Sequence, residues 1–294
     1  MRCSLCPRNC AAARDSAVGY CAMPWEPVVA RAARHDWEEP CISGTRGAGA
    51  VFFSGCNLRC VYCQNYDISA LRQGQKLTVD ELRAVFCSLE AEGVHNLDLV
   101  TPTHYALAVR EALDPPPSVP VVWNSGGYDK PLTLKLLEGR IQIYMPDLKY
   151  SDSALAARLS GAPDYPAVAR SAILEMFRQV GPYVLDDEGV MRSGVLIRHL
   201  VLPGELDNSF GVLDWIADTF RPGDVMVSLM SQYTPNGQGG PDRRLTAEEY
   251  GRVADYMRAL GILDGYTQEP ESAESAYTPA FDGTGLETIL GERA

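Results

Sequence analysis

Apolar runs and amphipathic stretches alternate along the chain from about residue 49 onward. The apolar runs are short, nearly continuous and rich in β-branched residues, as expected for strands that are buried on both faces. They predict strands at residues 49–54, 96–101, 119–124, 141–146, 195–202 and 225–230. Predicted helices lie at residues 78–92, 104–113, 131–138, 152–180, 209–220 and 246–260. This alternation indicates a parallel sheet covered by helices.

The number of these units predicts an α/β fold of the open (β/α)6 partial TIM barrel type. Six units take up about 215 residues, whereas the eight units of a closed barrel need ~250. An open barrel leaves a sheet edge exposed, which proteins usually cover. We expect the flanking segments to cover it. The predicted divisions are a cysteine-rich N-terminal extension at 1–48, the barrel at 49–265 and a C-terminal tail at 266–294.

Composition and charge narrow the functional classes. The formal net charge of −12 over 294 residues argues against a nucleic acid or membrane surface as partner. The N-terminus does not have the pattern of a signal peptide, and the chain contains no run of ~18 apolar residues. Nine cysteines, an odd number with metal-like spacings, fit a reducing compartment better than a disulfide framework. We therefore expect a cytoplasmic protein.

Three cysteines follow the first predicted strand at the spacing C-x3-C-x2-C, namely Cys56, Cys60 and Cys63. Three thiolates can hold three irons of a [4Fe–4S] cluster and leave the fourth without a protein ligand, unlike ordinary electron-transfer clusters with four cysteines. S-adenosylmethionine (SAM) can fill that position through its amino and carboxylate groups, for radical chemistry. The alternative is a structural zinc site, which needs a fourth ligand such as Cys41 or His35.

A second group of cysteines lies near the N-terminus at the spacing C-x2-C-x3-C-x10-C. Four thiolates in one short segment predict a second metal site, either zinc or Fe–S, that organises a segment too small for its own core. The alternative is free thiols, and Cys41 could replace Cys21 as a ligand. Cys87 lies within a helical pattern, so we expect it in the core. The four predicted ligands are Cys3, Cys6, Cys10 and Cys21.

Polar residues stand at the carboxyl ends of the next three predicted strands, where α/β barrels carry their reactive groups. Asp147 and Lys149 point the same way from a strand because they are two residues apart, although a surface ion pair would have the same spacing. The amide and hydroxyl before Gly126 suit a ribose, unless this is a plain turn. These polar residues are Thr101, Thr103, Asn124, Ser125, Asp147 and Lys149.

Four further residues stand out from their surroundings. Arg198 interrupts an apolar strand, where an unpaired charge is costly to bury. His199 alternates to the other face, which favours a packed or hydrogen-bonded histidine. His104 is either a substrate-facing acid or base or a helix-capping or core residue. Tyr62, between the second and third loop cysteines, is either core or a cofactor contact.

Three segments resemble the radical SAM enzymes, and within them the activating enzymes of glycyl-radical enzymes, typified by pyruvate formate-lyase activating enzyme. They are the cysteine loop at residues 53–65, Asp-Leu-Lys at 147–149 and Ile-Arg-His-Leu-Val-Leu-Pro-Gly at 197–204. The loop is closest to a side branch with extra N-terminal cysteines. Gln64 stands where a histidine is usual. The resemblance covers nearly the whole chain and implies the radical SAM partial barrel.

The resemblance implies an oxidoreductase that cleaves SAM reductively at a [4Fe–4S] cluster. The resulting 5′-deoxyadenosyl radical would abstract hydrogen from a glycine of a partner glycyl-radical enzyme, with electrons from a flavodoxin or ferredoxin. Alternatives are a small-molecule or other peptide substrate, or a non-enzymatic Fe–S or zinc protein. By resemblance, Tyr62 contacts the adenine, Asp147 the ribose, and Lys149 and Arg198 the SAM carboxylate. Thr101 and Thr103 stand where the family usually has Gly-Gly-Glu for the SAM amino group.

Overall fold

The computed structural model describes residues 2–268 and 279–291. Its strands are β1 Val28–His35, β2 Ala48–Phe53, β3 Gln75–Lys76, β4 Leu97–Val100, β5 Val121–Ser125, β6 Ile143–Pro146, β7 Val184–Leu185, β8 Met191–Leu200, β9 Met226–Met230 and β10 Gly265–Thr267. Its α-helices are α1 Pro40–Ser43, α2 Tyr66–Ser69, α3 Val79–Ala91, α4 Ala106–Ala112, α5 Pro131–Leu134, α6 Ser153–Ser160, α7 Tyr165–Val180, α8 Leu206–Thr219, α9 Ala247–Ala259 and α10 Glu287–Gly291. Short 3₁₀ helices lie at Thr103–Tyr105 and Lys135–Leu137.

The strands form one sheet in the order β10-β9-β8-β6-β5-β4-β2-β1-β3, with β7 added beside β8. Every pairing from β2 to β10 along this order is parallel. The predicted strands correspond to β2, β4, β5, β6, β8 and β9. The predicted α/β class and open parallel barrel are therefore confirmed. Strand β10 was not predicted, because three residues give no hydrophobic period.

Parts of both segments outside the predicted barrel lie along its β2 edge, whereas Tyr266 and Thr267 belong to β10 beside β9. Strand β1 pairs antiparallel with β2, so the sheet begins before residue 49. Beyond residue 279, the backbone N–H of Gly283 donates to Ala30 at 3.0 Å, and Ala32 donates to Thr284 at 3.0 Å. The division at residue 48 stays a prediction, and residues 269–278 and 292–294 of the predicted tail lie outside the described part. No helix in the described residues is long and apolar enough to cross a membrane.

Local sequence signals determine where the helix that follows β3 begins and which of its faces is buried. Thr78 and Glu81 form a reciprocal capping box at the start of α3, with the Glu81 N–H donating to the Thr78 hydroxyl at 3.2 Å. Leu82, Val85, Phe86 and Leu89 repeat at helical spacing and are buried against the sheet. Cys87 lies on the opposite face and is exposed, so the expectation of a core cysteine was wrong.

One end of the barrel is filled by apolar side chains. Residues near the start of the parallel strands pack into one buried cluster with Cys41 and Ile42 of α1. Burial raises the pKa of Cys41 to about 12, and this thiol also contacts the Tyr266 hydroxyl. Cys41 is therefore a core residue, and the opposite end of the barrel remains for the polar site. The strand residues of the cluster are Ala48, Val122, Ile143, Met145, Met191, Leu196 and Met226.

Candidate functional site

A cavity of about 240 Å³ lies at the carboxyl ends of the parallel strands. The topology brings the loops after β2, β4, β5 and β6 to this one edge, where barrels place their reactive residues. Arg198 joins them from β8. Most of the predicted site residues line the cavity, and they are Cys56, Cys60, Tyr62, Cys63, Thr101, Asn124, Ser125, Asp147, Lys149 and Arg198. Thr103 and His104 are absent from its lining.

The loop that carries the three cysteines turns sharply at Gly55. This residue has φ +80, and a Cβ there would lie 2.2 Å from Met23 Cγ and 2.9 Å from the Cys21 carbonyl oxygen. Only glycine tolerates both the left-handed backbone and the close approach. The glycine before the first loop cysteine therefore lets the loop pack tightly against the N-terminal segment.

Each sulfur of the loop is half-buried and accepts one hydrogen bond. The Leu58 N–H lies 3.4 Å from Cys56 Sγ, the Ser160 hydroxyl 2.9 Å from Cys60 Sγ, and the Ser69 hydroxyl 3.3 Å from Cys63 Sγ. Hydrogen bonds to sulfur are one of the means by which proteins tune Fe–S clusters. Burial raises the pKa of the Cys56 and Cys60 thiols, and neighbouring loop thiols raise it further. A bound metal reverses this effect, because a coordinating thiol is deprotonated.

The three thiols fit a cluster that keeps one iron open. They are free, they share one loop, and they face a cavity large enough for a further ligand. In the part of the chain that the structure describes, no group of three His, Cys, Asp or Glu side chains is arranged to hold a single metal ion. The thiolates of a cluster bind different irons, so they lie farther apart than the ligands of one ion. The result above therefore bears on single-ion sites and not on a cluster. Cys41, the alternative fourth zinc ligand, packs in the core instead.

A charged network crosses the floor of the cavity. Asp147 accepts from Lys149 Nζ at 2.5 Å and from Arg198 Nε at 3.1 Å. Arg198 also donates to the side-chain amide oxygen Oδ1 of Asn124 at 2.6 Å and to the Glu38 carboxylate at 3.2 Å. Burial opposes ionisation of Asp147, but these two cations hold its pKa below the usual range. The alternative of a surface ion pair is therefore not what the structure shows, because Asp147 and Lys149 belong to a buried network with one face on the cavity.

The loop after β4 only partly follows the prediction. Thr101 lines the cavity and has φ 62, a strained value for a β-branched residue of the kind that concentrates at functional sites. Thr103 instead turns away, and its hydroxyl donates to Asp129 at 2.7 Å. The Ser125 hydroxyl donates to the same carboxylate at 2.5 Å. The expected cofactor contact of Thr103 was therefore wrong, because Asp129 holds that side chain below the turn.

His104 and His199, whose roles the sequence left open, both have structural roles in this fold. His104 is buried, and its Nε2 lies 2.8 Å from the Ser54 carbonyl oxygen. Burial lowers its pKa to about 3, and it lies outside the cavity, so the substrate-facing role is not supported. His199 is buried between the Leu148 carbonyl oxygen at 2.7 Å and the Ser209 hydroxyl at 2.8 Å. This arrangement is the packed, hydrogen-bonded histidine that was favoured.

Tyr62 is both a core and a cavity residue. Its hydroxyl lies 2.7 Å from the Tyr150 hydroxyl, and its ring centroid lies 6.0 Å from that of Tyr233. The ring also lines the cavity next to Cys60 and Cys63. Its position allows a flat ligand to pack on it, and the contact with adenine stays a prediction.

Sequence reasoning missed the contribution of the segment after β1. Trp37 and Glu38 line the cavity, and Ser160 reaches Cys60 from the end of α6. No motif marks these residues. The one available signal was the pair Glu38 and Glu39 before Pro40, because two adjacent carboxylates at the start of a short helix need a cationic partner if they are buried.

The N-terminal cysteines form a separate group. Cys3, Cys6 and Cys21 are buried and Cys10 is exposed. A Cβ added to Gly19 would lie 3.1 Å from Cys10 Sγ and 3.9 Å from Cys21 Sγ, so these two sulfurs flank the same glycine. Burial raises the pKa of Cys6 to about 11, with smaller contributions from the other three thiols. The second metal site stays a prediction.

Two arginines tie the N-terminal segment to its surroundings. The buried Arg14 guanidinium lies 3.8 Å from Cys3 Sγ and donates to the His104 carbonyl oxygen at 2.6 Å. Arg8 donates to the Asn57 carbonyl oxygen at 2.8 Å, inside the loop of the site cysteines. The extension therefore braces that loop directly.

Comparison with known proteins supports the iron–sulfur interpretation. Residues 43–101 match the 4Fe-4S single cluster domain family, and this segment contains the whole cysteine loop. Uncharacterized protein MJ0674 of Methanocaldococcus jannaschii is 29% identical over 275 residues, which cover 88% of this chain and 75% of MJ0674. The predicted resemblance of the loop to an Fe–S domain is confirmed.

Solved structures with a similar fold include SuiB of Streptococcus suis bound to S-adenosylmethionine. The TM-score is 0.50 at 14% identity, and the match covers 77% of this chain and 51% of SuiB, so the chain spans about half the length of SuiB. A domain of pyruvate-formate lyase-activating enzyme from Bacteroides vulgatus matches with a TM-score of 0.38 at 12% identity, over 65% of this chain and 89% of that domain. The SuiB match confirms the open partial barrel. The iron–sulfur match and this fold are the two features that the resemblance to the radical SAM enzymes implied.

Proposed function

We propose that this chain, which resembles the radical SAM superfamily in its fold and its cysteine loop, is a radical SAM enzyme. In this proposal Cys56, Cys60 and Cys63 hold a [4Fe–4S] cluster, and SAM binds in the adjoining cavity. One observation carries the proposal: three free thiols and a buried network of Asp147 with two basic residues line the same cavity. An electron-transfer protein has no need of such a network beside its cluster.

The residues of the cavity suit the parts of SAM. When bound, the cluster supplies one electron to SAM, which cleaves to methionine and a 5′-deoxyadenosyl radical that removes hydrogen from the substrate. Lys149 and Arg198 are the cations that can bind the SAM carboxylate, and Asp147 can accept from ribose hydroxyls. Tyr62 offers a ring face to the adenine. Exclusion of water from the cavity by a bound partner would protect a reactive species.

The substrate in this proposal is a backbone glycine of a partner protein, as in the glycyl-radical activating enzymes. The support is the sequence motif at residues 53–65 and 147–149, together with a cavity that is open to a partner. The alternatives are a small molecule or another peptide. The electron donor would be a flavodoxin or ferredoxin. The nine free cysteines favour a reducing cytosol as the location.

Reductive SAM cleavage tests the proposal. The protein is reconstituted anaerobically with iron and sulfide, reduced with dithionite and incubated with SAM, and 5′-deoxyadenosine and methionine are quantified. We expect both products in equal amounts, and neither product without reductant. A reduced, cluster-loaded protein that forms no 5′-deoxyadenosine would be an electron carrier, and the proposal would be wrong.

A further inference from the structure

One side of the cavity is aromatic and acidic. It is lined by His35, Trp37, Glu38 and Phe52, from β1, the segment after it and β2. We call these four residues the aromatic–acidic side. Trp37 is 64% exposed, an unusual state for the largest apolar side chain. The His35 and Phe52 rings meet edge to face, with centroids 6.0 Å apart. This side contains no cysteine, and Glu38 connects it to the residues assigned to SAM through the 3.2 Å hydrogen bond that it accepts from Arg198.

The carboxylates near this side outnumber the cations that face them. Arg198 is shared between Asp147 at 3.1 Å, Glu38 at 3.2 Å and Glu39 at 3.9 Å. Asp98, buried in β4, adds a further carboxyl group that contacts Glu38. The other basic side chain of the network, Lys149, is paired with Asp147. Arg198 therefore cannot neutralise all of the carboxylates around it.

Two oxygens of this group have no hydrogen-bond partner within the described residues. They are Glu39 Oε2 and Asp98 Oδ1, both fully buried. Unpaired buried charge is costly, so these groups hold a proton or face a cation. Burial raises the pKa of Asp98, which favours the proton there, and the nearby Glu38 carboxylate raises it further. Glu38 differs from both, because its side chain lines the cavity and a ligand can reach it.

We propose that Glu38 and Trp37 bind a cationic group of the substrate, a primary ammonium or a guanidinium. A carboxylate beside an accessible indole ring provides both a charge-assisted hydrogen bond and a cation–π contact. The bound cation also offsets the excess negative charge of the carboxylates below it. This inference rests on the proposed function, since it treats the cavity as the chamber in which the substrate reacts. It adds that the substrate carries a basic group near the hydrogen to be removed.

Binding of a charged probe and its neutral isostere tests the inference without any turnover. The probes are n-butylguanidinium and n-butylurea, which share shape but differ in charge and in one group, since a carbonyl acceptor of the urea replaces an NH2 donor of the guanidinium. Each is titrated into the full-length protein and followed by NMR of the probe. We expect butylguanidinium to bind at least ~10-fold more tightly than butylurea, as a hydrogen bond to a charged group predicts.

Three variants locate the effect. Glu38→Gln keeps the shape of the side chain and should remove most of the charge preference. Trp37→Leu should weaken butylguanidinium binding by about threefold, the size of an exposed cation–π contact. Glu92→Gln removes an exposed carboxylate at the end of α3 and should change nothing. Circular dichroism of each variant confirms that it is folded.

Two results would overturn the inference. One is equal binding of both probes, or a charge preference that survives in Glu38→Gln. The other is displacement of butylguanidinium by SAM together with a similar loss of SAM affinity in Glu38→Gln, because Glu38 would then bind the SAM ammonium. Formation of 5′-deoxyadenosine by the parent protein is read separately. The radical SAM assignment can therefore stand when this inference fails.

Discussion

The two cysteine groups of this chain differ in what surrounds the sulfur atoms. In the loop after β2, the three sulfurs are half-buried, accept hydrogen bonds from a backbone N–H and two serine hydroxyls, and face a cavity. In the N-terminal group, three of the four cysteines are buried, and none lines that cavity. The same residue type is thus exposed to a ligand in one group and enclosed in the other. In the proposed function, the first group holds the cluster and the second braces the loop.

The two groups are also mechanically connected. The Cys21 carbonyl oxygen lies against Gly55, and Arg8 donates both to Asn57 in the loop and to the Gly161 carbonyl oxygen at 2.7 Å. The Arg8 guanidinium packs on the Tyr20 ring at 4.1 Å. The N-terminal segment is therefore in direct contact with the loop of Cys56, Cys60 and Cys63. The predictions below separate the role of each group.

The largest effect is expected from the loop cysteines. Cys60→Ala removes one of three cluster ligands, so SAM cleavage should fall below detection and most of the loop iron should be lost. Cys87→Ala is the matched control, because this thiol is exposed on α3 and should be dispensable. Both variants are compared by iron analysis and by assays of 5′-deoxyadenosine formation. Full SAM cleavage by Cys60→Ala would contradict the assignment of the loop cysteines as cluster ligands.

The N-terminal group should lose metal without removing the loop cluster. In a Cys3→Ala/Cys6→Ala double variant, we expect total zinc or iron to fall while the loop keeps its iron. The thermal midpoint should also drop, because thiolate metal sites supply ~10–16 kcal/mol of folding free energy to small units. Elemental analysis and calorimetry provide the measurements. Unchanged zinc and iron in the double variant would mean that there is no second metal site.

The charged network should affect SAM affinity by a smaller factor. Asp147→Asn and Lys149→Met each remove charge-assisted hydrogen bonds worth ~1.5–3 kcal/mol, so the SAM dissociation constant should rise roughly tenfold or more. Lys76→Met, at an exposed lysine on β3, is the control. Calorimetry on the cluster-loaded protein measures the change. Parent-like affinity in both variants would show that the ribose and carboxylate assignments are wrong.

The smallest effect should come from the hydroxyl that contacts Cys60. Hydrogen bonds to cluster sulfurs stabilise the reduced, more negative state. Ser160→Ala should therefore lower the reduction potential by roughly 20–60 mV, which corresponds to one hydrogen bond of ~0.5–1.5 kcal/mol in a one-electron couple. Ser16→Ala, at an exposed serine of the N-terminal segment, should leave the potential unchanged. A potentiometric titration followed by EPR compares the two variants.

Features with a regular period or a fixed spacing could be predicted from the sequence. The buried strands β2, β4, β5, β6, β8 and β9 have long apolar runs, and the topology of a parallel barrel then fixes which loops meet. For that reason Asp147 and Lys149 were expected on one cavity with the cysteine loop, and the family resemblance placed Arg198 there too, as observed. The prediction for Thr103 was wrong because the sequence does not show which of two neighbouring threonines the turn directs toward the buried Asp129.

Contacts between distant segments could not be predicted in this way. Glu38 reaches Arg198 across 160 residues, and Ser160 reaches Cys60 across 100. Neither residue belongs to a repeating pattern, and their positions depend on how β1 and α6 pack against the barrel. His104 shows the same limit, since only the packed structure reveals the Ser54 carbonyl oxygen that holds it. These contacts follow from tertiary packing, which a local sequence pattern does not show.

The most direct test of the central claim is the response of the reduced loop cluster to SAM. The claim is that three cysteines leave one iron open in the cavity beside Lys149. EPR spectra of the reduced protein are recorded with and without SAM, in a variant whose four N-terminal cysteines are replaced by alanine, so that only the loop cluster contributes. The account predicts a clear change in the g-values when SAM binds the open iron. A spectrum that is identical with and without SAM would contradict it.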